Sequence, residues 1–541
     1  MTTSHKTRLI GIFFGFLLFF CVITANLIRI QYFQQIFFKN LAQTQYLLTI
    51  TEESSRGEMF DRYGKPLAVN TESTSAFITP STLKEKELIH TFLKQEFPQA
   101  YQRLLRNPYA KFMYIKRKLS PEELLAINNA NLKDINMLQE KSRLYPYPCT
   151  GIITGMTDID NNGLFGIELS CNTLLKGAPT IYLLEKEARS RYFIKKEIEQ
   201  SGVSGNNLTL TIDRDLQFLV HEELKNTVEK LHAKEGSVII MDPLTGDIIT
   251  MVHYPDYTTQ TMHDISLTKN SLISNVYEFG SVMKIFPALA ALEEHLVTPD
   301  EIIDCENTKT TYIDGVRVNT WKAHGAITYA QVIECSNNIG TSKVTQRLGP
   351  LLYDHLKQCG FGQKTHIALP GEQKGFINPP ERWSNASLFS LSFGYEINAT
   401  LLQLAQAFCM IANGGYIITP KILLHDPIKK SLHPIYSDNT ITTMRTILTN
   451  TINHGTAYKA KIDGYTIMGK TGTANLLDDT GEYNKHRNIF TFICNIEKGT
   501  YKRVIGTFIK EIPQKNVFAS TTAVPLGERV AHTMLIHDKI I

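Results

Sequence analysis

Hydrophobic residues fall along this chain in distinct patterns, and each pattern predicts a different kind of element. From Leu9 to Ile28 no charged residue interrupts the run, and Phe and Leu surround it without a polar face. At about 1.5 Å per residue, such a helix covers the roughly 30 Å hydrocarbon core of a bilayer. Residues 82–145 mix charged and apolar positions as amphipathic helices with short connections do. Gly, Ser and Asn cluster from Gly202 to Asn207 and mark a boundary. Leu208 to Asp213 then reads as a strand leading into a helix around Leu216 and Gln217. From Gly236 to Val252, two β-branched runs flank a turn at Pro243 to Gly246 and predict a hairpin. A helix over Leu401 to Ala412 follows, then strands over Tyr465 to Ala474, Phe490 to Ile496 and Arg503 to Ile509. Strands at both ends with helices between them predict an α+β fold, an antiparallel sheet packed by helices.

Length and charge narrow the picture. The 541 residues leave room for two or more domains, and a net charge of +4 gives no reason to expect nucleic acid. Lys6 and Arg8 precede the apolar run, so the positive-inside rule places the N-terminus in the cytoplasm and everything after Arg29 outside. A cleaved signal peptide is the alternative. The run exceeds the usual h-region of about 7–15 residues, and Ile23-Thr24-Ala25 is a poor cleavage site, so a retained anchor is expected. Of the eight cysteines, Cys21 lies in the anchor. No C-x-x-C pair or zinc-type spacing with histidine occurs, so no metal is indicated. Cys149 and Cys171 are a possible disulfide, although an odd outward set is better read as containing several buried thiols.

Three short strings occur in order: Ser281-Val282-Met283-Lys284, Ser336-Asn337-Asn338 and Lys470-Thr471-Gly472. Each has decoys. Ser81 with Lys84 and Ser266 with Lys269 repeat the first pattern, and Ser170, Ser204 and Ser437 repeat the second. Context selects Ser281, because Gly280 breaks the chain before it and an Ala- and Leu-rich helix candidate runs on to Leu296. There Ser281 and Lys284 stand at i and i+3, on one face. Pro287 is tolerable only near the helix start. Ser81 reads as a helix cap, Ser266 as part of a polar connector and Ser437 as a surface turn.

Taken with the anchor, the segment Arg56-Gly57 to Asp61-Arg62 and Gly64, the segment Gly163, Gly166 and Glu168, and the Leu208 to Asp213 strand, these strings resemble a class B penicillin-binding protein over nearly the whole chain. The Ser-x-Asn form of the middle string and the Lys470 to Ala474 run look most like the FtsI-type septal peptidoglycan D,D-transpeptidase. The elongation-specific relative tends to carry Asp at the position of Asn338. The resemblance implies a cytoplasmic tail (residues 1–8), a transmembrane anchor (9–28), a mixed pedestal or dimerisation domain (29–205) and a transpeptidase domain (206–541). It implies a single-pass protein of the bacterial cytoplasmic membrane with its catalytic domain outside, and no cofactor. Stem peptides and β-lactams are the implied ligands. An FtsW-type glycan polymerase and other divisome membrane proteins are the implied partners.

The same resemblance assigns roles. Ser281 is the nucleophile, and Lys284 is its base, neutral through burial and a second cation, Lys470. Ser336 relays a proton to the leaving amine, and Asn338 holds the substrate peptide. Lys470, Thr471 and Thr473 suit a terminal carboxylate on an edge strand, and Gly472 lets the substrate backbone approach. The N–H groups of Ser281 and Thr473 form the oxyanion hole. Two departures stand out: Phe279 occupies a position usually Pro, and Glu396 one usually Gly. A silent divisome scaffold, a β-lactamase and a β-lactam sensor are the competing readings. The intact strings oppose the first. The pedestal segments and the lack of an identifiable deacylation base oppose the other two.

Overall fold

The computed structural model describes residues 3–186, 193–256, 268–478, 480–514 and 516–540. By internal packing the chain divides into two compact units, residues 1–56 with 176–206, and residues 57–175 with 207–541. The first holds the helix Thr3–Ile28, a π-helical stretch Arg29–Phe33 and the helix Gln35–Tyr46. The apolar part, His5–Phe33, is long enough to cross a membrane and has no buried share, as the uncharged run predicts. A three-stranded antiparallel sheet of Leu47–Glu52, Thr180–Lys186 and Phe193–Gln200 completes this unit.

In the second unit, the strand Pro66–Ile78 pairs with Met113–Lys116 and Asn136–Leu144. The helices Lys86–Glu96, Pro98–Arg106 and Pro121–Ala130 pack on a small core of Ile78, Ile89, Leu93, Leu104 and Ile115. Periodicity over 82–145 gave helices alone. It missed Met113–Lys116, which is only 4 residues long, and Asn136–Leu144, which is largely exposed and has no buried face to alternate. Such a strand forms by pairing with a neighbour, which its own sequence does not reveal.

The two glycine-bearing segments act as brackets. Buried Asp61 accepts from the N–H groups of Tyr63 (2.8 Å), Lys65 (2.7 Å) and Arg214 (3.2 Å), closing the turn that Gly64 makes at φ +79°. Buried Glu168 pairs with Arg143 at 2.8 Å and accepts from the Tyr145 hydroxyl at 3.2 Å. Gly166 is obligatory, since a Cβ there would lie 2.5 Å from the Gly155 nitrogen.

The remainder is built on one five-stranded sheet with strands β1 (Glu235–Met241), β2 (Ile248–Tyr254), β3 (Thr466–Leu477), β4 (Tyr483–Lys498) and β5 (Tyr501–Lys510). The spatial order is β2-β1-β5-β4-β3, every pair antiparallel. Side chains alternate between two cores, as the pleat requires. Val238, Ile240, Phe490, Phe492, Ile505 and Ile509 share a core with helices α1 (Arg214–Leu231) and α7 (Ala523–His537). Ile239, Met241, Ile489, Ile493, Val504 and Phe508 face the other side, with α2 (Ile285–Glu293) and α5 (Leu401–Ala412). Every residue of α5 is buried, which explains why its sequence is apolar all round. The hairpin read from Gly236 to Val252 is β1–β2, with Gly246 at φ +79° in its turn. The strand expected from Leu208 to Asp213 is shorter, Leu208–Thr209, paired in parallel with Met59–Phe60.

Candidate active site

The turn into the Ser281 segment is dictated by Gly280. It sits at φ +59°, and a Cβ on it would lie 2.6 Å from the Thr473 carbonyl oxygen, so only glycine fits. Gly280 to Lys284 forms a 3₁₀ helix, and α2 begins at Ile285. The single α-helix expected from Ser281 onward is therefore corrected in its first turn. In a 3₁₀ helix positions i and i+3 eclipse, so Ser281 and Lys284 stack more directly than in an α-helix. Pro287 is the third residue of α2, where a missing N–H is tolerated. Phe279, in place of the usual proline, is buried against Tyr277 and Phe508 at ring distances of 6.4 Å.

Ser336 lies between α3 (Tyr329–Glu334) and α4 (Asn338–Thr345), held in the left-handed region at φ +58°. Asn337 caps α4 by accepting from Gly340 N–H at 2.9 Å. Lys284 Nζ donates to the Ser336 carbonyl (2.7 Å) and to Ser336 Oγ (3.0 Å). Lys470 Nζ donates to the same Oγ at 2.9 Å and to the Thr471 carbonyl at 3.3 Å. Both lysines are 0% exposed and Ser336 is 6% exposed, whereas Ser281 is only half-buried. Three residues far apart in sequence thus meet at one hydroxyl.

Two buried ammonium groups sharing a hydroxyl repel, and both lose hydration. Burial, then the Lys470 charge, hold Lys284 well below the ordinary lysine range, with the Cys335 thiol opposing weakly. Burial pushes Lys470 down to about 7. A neutral Lys284 has two N–H bonds and one lone pair. Both N–H bonds are spent on Ser336, which leaves the lone pair to take a proton. Ser336 Oγ receives two N–H groups, so its own proton is free to point away from them.

Thr471, Gly472 and Thr473 occupy β3, the edge strand of the sheet, and Asn338 opens α4. Thr471 Oγ1 is 2.9 Å from Thr456 Oγ1, and Thr473 Oγ1 accepts from Ala519 N–H at 3.3 Å. Two expectations change. Gly472 admits its own chain: a Cβ would lie 2.4 Å from the Phe279 carbonyl oxygen and 2.6 Å from Val282 Cγ2, so it is the Phe279–Val282 turn that approaches. Lys470, fully buried, faces Ser336 in place of an open carboxylate site. Asn338 is half-buried; its Nδ2 donates to the Asn319 carbonyl at 2.5 Å and its N–H to Thr320 Oγ1 at 3.3 Å, which ties the Ser-x-Asn turn to the Asn319–Trp321 segment. Trp321 adds a third tie, its indole N–H donating to the Cys335 carbonyl at 2.9 Å.

Reading the sequence missed Thr456, Asn319 and Trp321, which carry no motif. Gly394 had a signal in the Ser392 to Glu396 segment; its Cβ would lie 2.1 Å from the Gly280 carbonyl oxygen. Glu396, where glycine is usual, sits at φ +58°, a conformation that explains the preference for glycine there. Among the decoys, Ser437 is the N-cap of α6 (Asp438–Asn453) and not a surface turn, since its Oγ accepts from Thr440 N–H. Ser81 is in the short 3₁₀ helix Pro80–Thr82, and Ser266 lies outside the described residues. Cys149 and Cys171 are both free, buried thiols. Asp213, His537 and Asp538 bring three ligand-type atoms within 4.8 Å. These groups already engage protein partners: Asp213 caps α1, His537 spans both carboxylates, and Asp538 accepts from Tyr501.

A half-buried serine with a buried lysine one 3₁₀ turn on, a second serine bridged by that lysine and another, and an edge strand beside them fit a serine acyltransferase of the penicillin-binding type. The sequence matches the penicillin-binding protein transpeptidase domain over residues 236–530, more than half of the chain, and the penicillin-binding protein dimerisation domain over 51–210. The chain belongs to this family, as a class B penicillin-binding protein and a serine-type D,D-transpeptidase. It is 28% identical over 448 residues to the peptidoglycan D,D-transpeptidase FtsI of Escherichia coli K12, covering 80% of this chain and 75% of that protein. It is 29% identical over 550 residues to the stage V sporulation protein D of Bacillus subtilis, covering 97% and 84%. Its fold matches penicillin-binding protein 3 of Mycobacterium tuberculosis, solved in complex with aztreonam, with a TM-score of 0.68 and 23% identity over 91% of this chain and 98% of that one.

Proposed function

We propose that the chain cross-links peptidoglycan stem peptides at the division septum through an acyl-enzyme on Ser281, and that β-lactams acylate the same hydroxyl. The observation that carries this is the shared contact of Lys284 and Lys470 on Ser336 Oγ, with Lys284 one 3₁₀ turn on from the half-buried Ser281. Lys284 takes the Ser281 proton as Oγ bonds to the penultimate D-Ala carbonyl carbon. The carbon–nitrogen bond to the terminal D-Ala then breaks, and Ser336 passes a proton to that amine. An amine of a second stem peptide attacks the ester, gives up a proton by the same route and releases Ser281. The N–H groups of Ser281 and Thr473 hold the oxyanion, donors each worth about 10²–10³ in rate. Asn338, Thr471 and Thr473 orient the peptide and its carboxylate, with Gly472 keeping strand and nucleophile turn together.

Residues 1–8 form the cytoplasmic tail, 9–28 the anchor, 29–205 the pedestal and 206–541 the transpeptidase domain. The helix His5–Phe33, with Lys6 and Arg8 at its N-terminal end ahead of the uncharged run, supports a single-pass protein with its catalytic domain outside. New glycan comes from a separate FtsW-type polymerase of the divisome. The septal assignment rests on similarity to FtsI. The test supplies glycan strands bearing pentapeptides: D-alanine release and cross-linked dimers are expected from the wild type and neither from Ser281→Ala. Dimers formed by the Ser281→Ala protein would exclude this reading.

A further inference from the structure

A second set of contacts surrounds the nucleophile turn, and none belongs to the three strings. Tyr277 exchanges backbone hydrogen bonds with Ala399, at 2.8 and 3.0 Å, and Gly280 N–H donates to the Gly394 carbonyl at 3.3 Å. These lay residues 277–280 along residues 394–399. Between them, Glu278 Oε1 accepts from Glu396 N–H at 2.7 Å and from the Tyr483 hydroxyl at 3.1 Å. Tyr483 is the first residue of β4 and pairs with Leu477 at the end of β3. Tyr395 stands edge-on to Tyr483 at 4.9 Å, and its hydroxyl accepts from Asn475 N–H at 3.4 Å. The β3–β4 register shifts between Asn475 and Leu476, so Tyr395 meets a backbone N–H at the point where the ladder is irregular.

The chemistry of this cluster is mechanical. Thr473, whose N–H serves the oxyanion hole in the proposed function, is two residues from Asn475. Ser281 is three residues from Glu278. One carboxylate oxygen therefore joins the segment before the nucleophile to the hairpin that carries the oxyanion donor. Oxyanion stabilisation depends on donor geometry being fixed before reaction, and a displacement of about 1 Å can cost on the order of 10² in rate.

We infer that Glu278 is a positioning residue for acyl transfer: by accepting from both Tyr483 and the Glu396 backbone, it fixes the β3–β4 hairpin against the Ser281 turn. This rests on the proposed acyl-enzyme reading, and the two can fail separately. The experiment measures, for the full-length chain in detergent, non-covalent binding of a fluorescent penicillin and its acylation rate constant. Glu278→Ala should lower the rate constant by roughly 10²-fold while leaving initial binding nearly unchanged. Glu278→Gln, whose amide oxygen still accepts from both donors, should restore most of the rate. Tyr483→Phe should lower the rate less than Glu278→Ala, and the double variant should be no slower than Glu278→Ala alone, because both remove the same tie. An Glu278→Ala protein that acylates at the wild-type rate overturns the inference, as does a Gln variant as slow as Ala. Fully additive effects of the two substitutions overturn it too. Labelling of Ser281→Ala, by contrast, would remove the acyl-enzyme reading itself.

Discussion

Replacing Ser336 by alanine and, separately, by glycine divides the chemistry of this residue from its backbone. At φ +58°, a residue with a Cβ costs about 1–2 kcal/mol relative to a right-handed conformation, and glycine does not. Both variants delete Oγ, leaving Lys470 with only the Thr471 carbonyl at 3.3 Å, while Lys284 keeps the residue 336 carbonyl at 2.7 Å. An unsatisfied buried donor costs about 1–3 kcal/mol, the same in each variant. The glycine protein should therefore be more stable than the alanine protein by about 1 kcal/mol, measured by urea unfolding of the detergent-solubilised chain. Acylation should suffer equally. Loss of a proton relay lowers the rate by about 10²–10⁴, or about 3–5 kcal/mol on the barrier. Stopped-flow acylation by a chromogenic β-lactam reads this directly. A glycine variant that acylates close to the wild-type rate, or an alanine variant that is the more stable of the two, would refute the reasoning.

Lys470, with its pKa lowered to about 7 in the fold and ordinary when unfolded, binds more protons in the unfolded chain between those limits. Stability relative to Lys470→Met should therefore rise as pH climbs from about 7 toward 10, by up to ~1.4 kcal/mol per unit, and a flat difference across urea titrations would contradict this. Gly280→Ala forces a Cβ to 2.6 Å from the Thr473 oxygen at positive φ, so acylation should fall sharply along with stability, checked by labelling kinetics and thermal melting. Glu168→Ala leaves the buried Arg143 guanidinium without its carboxylate, keeping its contact with the Asn70 amide oxygen, and should destabilise the second unit by about 3–5 kcal/mol in urea unfolding. A reporter fused after Ile541 should be active only if it works outside the cytoplasm.

Legibility differed by the kind of signal involved. The uncharged run, the β1–β2 hairpin and α5 were readable because each satisfies its own hydrophobic pattern locally. The strand Asn136–Leu144 was not, because its stability comes from pairing with Pro66–Ile78, a partner distant in sequence. Within the site, Ser281, Lys284, Ser336 and Lys470 could be named from spacing. What spacing could not show is that Lys284 reaches past its own turn to Ser336, that Gly472 serves the approach of Phe279, or that Ser336 takes a left-handed backbone. Those facts are set by how three elements converge. Glu278 was visible only as a neighbour of Gly280, since its partners Tyr483 and Glu396 lie more than a hundred residues away.

The central claim is that Ser281 is the acylated nucleophile, and peptide mapping by mass spectrometry after reaction with a penicillin tests it most directly. A single adduct on the peptide containing Ser281, absent from Ser281→Ala, is the predicted result; an adduct on any other residue, or one that persists in Ser281→Ala, would contradict it.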